Sequence, residues 1–202
     1  MNKTLTLLAF LLITHLSHAQ KKDYQEPALK FEVEINGEKH QVNDGESLIV
    51  NGNTIKVKSS NNKTFDFGIV SFDYPKHFAF EFFQENEMKN WTLDGNNFVI
   101  TYFEYETNIE LDTFISELVK LFKKENCEVI DKKITLGDLS LNGKRIIVRL
   151  FGEKITYDMY EIETEDYKTH FIGFQDSKSE NGLDSIEGIE TTKLIDETIK
   201  IK

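Results

Sequence analysis

Apolar and polar residues alternate one for one in segment after segment of this chain, and a period of two is the signature of half-buried β-strands. Leu29, Phe31, Val33 and Ile35 fall on one side, Lys30, Glu32 and Glu34 on the other, and Asn36-Gly37 supplies a hairpin turn. Two short apolar segments follow at 48–50 and 54–58, joined by Asn51-Gly52-Asn53, before a polar break at 59–63. Residues 29–58 therefore read as a small β-hairpin appendage, either a mini-domain or an extension of the main sheet.

A main domain is expected from Thr64. Phe65, Phe67 and Ile69 alternate in one run that ends at Tyr74-Pro75, because proline cannot donate into a ladder. Phe78, Phe80 and Phe82 share the face of the next strand, and the Asp94-Gly95 turn joins Trp91–Leu93 to a strand at 98–105. The period then changes once. Leu111, Phe114, Ile115, Leu118, Val119 and Phe122 follow helical spacing, predicting an amphipathic helix over 110–126 capped by Thr107 or Asn108. Strands are expected again at 127–136, 139–151, 154–163 and 168–175, with a helical tail at 185–199.

Turn chemistry sets a register for these last strands. A two-residue turn at Gly152-Glu153 pairs Val148 with Tyr157 and Ile146 with Met159. A four-residue loop at 164–167 then pairs Met159 with Ile172 and Tyr157 with Phe174. One face is apolar throughout, and the expectation is that helix 110–126 lays Phe114, Ile115, Leu118 and Phe122 on Val148, Leu150 and Met159. The other face is mixed and carries Arg145, Ile147, Arg149, Phe151, Asp158, Tyr160, Ile162 and Phe171.

The amino terminus has the secretory pattern: Lys3, an apolar run over residues 5–13, and Ser17-His18-Ala19 at the exit. Cleavage is expected after Ala19, so residues 1–19 are read as a signal peptide, 20–63 as leader plus hairpin extension, and 64–202 as the main domain. The exported chain would be periplasmic or extracellular. The apolar run is too short to span a bilayer, which takes about 20 residues, and no longer one follows. Formal net charge is −11, one unit more negative without Lys3. That acidity argues against nucleic acid and anionic lipid as partners. Cys127 is the sole cysteine, so no internal disulfide can form, and it reads as a structural residue.

No GxSxG, phosphate-binding loop, GxGxxG or EF-hand pattern occurs. His40 and His77 read as loop residues, and no histidine spacing matches a metal site. His170 is expected to face Glu161 across a hairpin, as a rim ion pair or, in the sharper reading, a catalytic dyad. The two arginines of the chain, Arg145 and Arg149, share a strand face, with Asp158 diagonally between them. Two readings follow: an Arg-Asp-Arg ladder that satisfies a half-covered sheet face, or a clamp for an extended anion. Tyr102 and Tyr160 are the aromatic candidates for a recognition surface.

The order of elements resembles the PsbP-like proteins over about residues 64–202: strands ending at Phe72-Asp73-Tyr74-Pro75, a Trp-containing hairpin, helix 110–126, an antiparallel meander and a C-terminal helix. The resemblance implies an α+β fold, an antiparallel sheet with an internal and a C-terminal helix packed on it as an α/β/α sandwich. It also implies an accessory or binding role and no enzyme activity. The first functional reading is an exported non-catalytic protein that binds a macromolecular partner or assists assembly in the cell envelope. The alternatives are a carrier of a small apolar or anionic ligand, held between the sheet and helix 110–126, and an enzyme whose site is built from scattered residues. No cofactor is indicated.

Overall fold

The structure, a computed structural model, describes residues 29–150, 153–165, 167–178 and 182–202. The expected signal peptide and leader lie outside the described residues, as do Phe151 and Gly152. The chain divides into two compact units between Ser59 and Ser60.

The first unit holds two hairpins, β1 (Lys30–Ile35) with β2 (Glu38–Asn43) and β3 (Ser47–Val50) with β4 (Asn53–Lys56). Asn36-Gly37 and Asn51-Gly52 make their turns, all four residues at positive φ. The Asp44 carboxylate accepts from the Ser59 backbone N–H at 2.7 Å and ties the end of the unit to its middle.

The second unit opens with a hairpin of β5 (Asn62–Phe67) and β6 (Val70–Pro75). The sequence suggests one continuous run here; Gly68 breaks it. Its φ is +56°, and an added Cβ would lie 2.4 Å from the Tyr102 hydroxyl, so only glycine fits a turn pressed this closely on the sheet. The hydroxyl accepts from the Ile69 N–H at 3.2 Å. Two meanders follow: β7 (Ala79–Glu85), β8 (Met88–Asp94) and β9 (Phe98–Tyr105), then β10 (Cys127–Leu136), β11 (Leu139–Leu150), β12 (Glu153–Ile162) and β13 (Thr169–Ser177). They join edge to edge, β9 to β13, into one antiparallel sheet of order β10-β11-β12-β13-β9-β8-β7.

Helix α1 (Leu111–Phe122) covers one face, packing Phe114 and Ile115 onto Ile146, Val148, Met159 and Phe171. It ends earlier than the spacing suggests, because Lys123 takes φ 63° and only a 3₁₀ turn continues to Asn126. Glu110, whose side chain makes no cap, precedes the helix in place of the expected Thr107 or Asn108.

The other face carries a second sheet, of order β14-β6-β5, in which β14 (Lys200–Ile201) pairs back on β6. Phe65, Val70, Phe72 and Tyr74 pack from it onto Ile100, Tyr102, Tyr160 and Ile172. Helix α2 (Ile186–Thr198) lies beside β6, its Thr198 hydroxyl accepting from the Asp73 N–H at 3.0 Å. The expected α/β/α sandwich is therefore incorrect: the fold is mostly antiparallel β. The segment assigned to the main sheet folds at Gly68 into a hairpin that supplies much of the covering layer, and α2 covers only the remainder.

Candidate functional site

Arg145, Asp158 and Tyr160 come together; Arg149 and Tyr102 do not join them. The β11–β12 register lies two residues from the expected one, so Arg145 stands directly opposite Asp158 and Val148 opposite Ile155. A shift of two keeps every side chain on its face. The Arg145 guanidinium grips the carboxylate with both ends, Nε to Oδ1 at 2.5 Å and Nη2 to Oδ2 at 2.6 Å. This bidentate bond raises the Arg145 pKa further. The Tyr160 hydroxyl donates to Oδ2 at 3.4 Å, and burial, with Asp158 beside it, pushes its phenol up.

Arg149 faces Lys154, and its guanidinium lies 3.8 Å from Glu128 in an exposed pair. The Arg-Asp-Arg ladder is thus a single pair, since Asp158 spends both oxygens on Arg145. Tyr102 is buried under the small sheet, its hydroxyl 2.8 Å from His170 Nδ1, and presents no recognition surface. His170 pairs with Ile162, not with Glu161, and is fully buried. The β12–β13 register differs from the expected one by an odd residue, which turns β13 over. Phe171 goes to the α1 face, and Ile172 and Phe174 go to the other. Neither the rim ion pair nor the dyad with Glu161 exists.

Asp158 and Arg145 line a cavity of about 420 Å³ between α2 and strands β10–β12. Lys178 lines it too, buried and bonded to Asp176 at 2.9 Å and to Asp184, whose carboxyl it holds below the usual range. The cavity thus has two lining cations, Arg145 and Lys178, that already hold carboxylates, and Lys132, Lys133 and Lys193 line it as well. Its position differs from that expected for a carrier, since α1 lies on the opposite face of the sheet. Among the described residues no three His, Cys, Asp or Glu side chains converge to hold a metal. Cys127 is half-buried, and burial, then Glu125, pushes its thiol pKa up, away from nucleophilic use.

A second feature lies at one edge of the seven-stranded sheet. Strand β7 is the last of its sheet, and all seven of its residues are exposed. Phe80 is 44% exposed, Phe82 49% and Phe83 52%. Phe67, 42% exposed, reaches over from β5, its ring 5.6 Å from Phe80 and 5.8 Å from Trp91. Phe82 lies 5.1 Å from the same indole. Fully burying a Phe contributes about 1.5–3 kcal/mol, so three half-exposed rings on one strand leave several kcal/mol unclaimed. The opposite edge, β10, is studded with Glu128, Asp131, Lys132 and Lys133, the charges that keep an open edge from pairing. The legible signal was the Phe82-Phe83 pair: neighbours on a strand point to opposite faces, so one-sided burial cannot hide both.

No protein-family model matches the chain, and no curated protein does. Solved structures with some likeness include a protein from Bacteroides thetaiotaomicron VPI-5482, at 13% identity and TM-score 0.42, over 71% of this chain and 49% of that one. The chain thus spans about half the length of that protein. Another is immunity protein TplEi of the T6SS of Pseudomonas aeruginosa, complexed with "L" peptide, at 13% identity and TM-score 0.36, over 85% of this chain and 70% of that one. Neither likeness is close enough to bear on what this chain does. No described helix is long and apolar enough to cross a membrane.

Proposed function

We propose that this chain is an exported, non-catalytic binding protein that takes an extended segment of a partner protein as an additional strand along β7. The observation that carries the reading is the coincidence of an open backbone edge with exposed aromatic side chains on both of its faces. In strand addition, main-chain hydrogen bonds provide affinity and alternate side chains provide specificity. Strand β10, at the other edge of the sheet, carries no aromatic residue, which favours β7 as the receiving side. The secretory pattern of residues 1–19 favours export and a partner in the cell envelope.

The test is to pan displayed random peptides against the mature protein and its Phe82→Lys variant. The expected outcome is a set of peptides whose affinity falls at least about tenfold on the variant, as for a residue at the centre of an interface. Enriched peptides that bind both proteins equally would refute the edge as the binding site.

A further inference from the structure

Resting on that reading, we infer that the strand β7 receives is basic on one face and apolar on the other, with Lys or Arg at two positions four residues apart. The two faces of β7 differ. Phe80, Phe82 and Gln84 lie on the side of Trp91 and Leu93, where Phe67 extends the aromatic surface. Glu81, Phe83 and Glu85 lie on the other side, with Thr92, Asn90 and Met88 in the row behind them. Neither Glu81 nor Glu85 has an ion-pair partner among the described residues. The nearest lysine along the hairpin, Lys89, is already committed to Glu104 at 2.7 Å and Glu106 at 3.3 Å. The two carboxylates are therefore free to meet cations, and they stand about 13 Å apart, four strand residues.

An incoming strand places alternate residues opposite Glu85, Phe83 and Glu81 whichever way it runs. Basic residues at the outer two positions meet a carboxylate each, and their cations also reach the exposed Phe83 ring between them. The intervening residues meet Gln84 and Phe82, with Phe80 beyond, and are best apolar. A second copy of this chain fits poorly. With Phe82 on a two-fold axis normal to the sheet, Glu81 lies diagonal to both Glu81 and Glu85 of the other copy. Moving the axis to residue 81 or 83 sets carboxylate directly against carboxylate, in a chain of net charge −11.

The experiment uses two dye-labelled peptides, Lys-Thr-Val-Val-Lys-Val and its twin Glu-Thr-Val-Val-Glu-Val, titrated by fluorescence anisotropy at low salt. Three forms of the mature protein are compared: wild type, Phe82→Lys and Glu81→Lys/Glu85→Lys. All the substituted side chains are exposed, so the variants should fold, which circular dichroism checks. The expected result is at least about tenfold tighter binding of the lysine peptide by wild type, reversed on the double variant and lost for both peptides on Phe82→Lys. Equal binding of the twins by wild type, with loss on Phe82→Lys, would overturn the charge pattern and leave edge binding standing. Binding of the lysine peptide that Phe82→Lys does not weaken would be diffuse attraction to an acidic protein and would overturn the inference. Failure of the lysine peptide to bind wild type overturns it as well, the panning then deciding whether the edge reading falls too. A wild-type dimer that Phe82→Lys dissociates would put a second copy on the edge and likewise refute it.

Discussion

Asp158 is buried with Arg145 as its bidentate partner, whereas Arg149 reaches only an exposed Glu128. The two arginines should therefore respond very differently to truncation. Removing one member of a buried ion pair leaves the other desolvated and unpaired, so Arg145→Ala should cost about 3 kcal/mol. Arg149→Ala should stay within about 0.5 kcal/mol of wild type, as surface changes do. Urea unfolding of both variants checks this, and equal losses would restore the three-residue ladder. The placement of Arg145, Asp158 and Tyr160 on one face was legible because side-chain direction depends on whether a register error is odd or even. An error of two at the β11–β12 turn left the faces intact. An odd error in the β12–β13 connection, where the loop is longer than its turn residues suggest, sent His170 from the rim into the core.

At the scale of elements, α1 was the best-defined feature of the sequence, and its apolar stripe packs on the β11–β12 face as the spacing indicates. Its ends were less legible, since a backbone reversal at Lys123 carries no compositional mark. Phe114 stacks on Phe171 with ring centroids 4.8 Å apart and is buried, while Phe122, at the last turn, is only partly covered against Tyr157. Phe114→Ala should thus cost about 3–5 kcal/mol and Phe122→Ala clearly less. Denaturant unfolding measures both, and a near-native Phe114→Ala would mean that α1 is not clamped to the sheet as described. The β5–β6 hairpin was illegible for a different reason. Phe65, Phe67 and Ile69 keep their alternation straight through the turn, so only the demand for a positive φ at Gly68, visible in three dimensions, marks the fold-back.

For the whole molecule, local patterns told what each segment is and not which segment covers which. The strands were read from a period of two, but the choice between a helix and a second sheet as the outer layer was settled by long-range packing of Phe65 and Phe72 on Tyr102. The seven-stranded sheet has one further property of this kind. Every neighbouring pair in it is consecutive in the chain except β9 and β13, which meet only after α1 and three strands have been placed between them. Hairpins close within microseconds, whereas a contact across a long loop must first overcome the entropy of closing it. Folding of this unit should therefore be limited by the β9–β13 seam, the two meanders assembling separately before they zip together. Native-state hydrogen exchange can resolve the order: amides of β7–β9 and of β10–β13 should open with two distinct free energies, and a single shared value would show that the sheet comes apart as one piece.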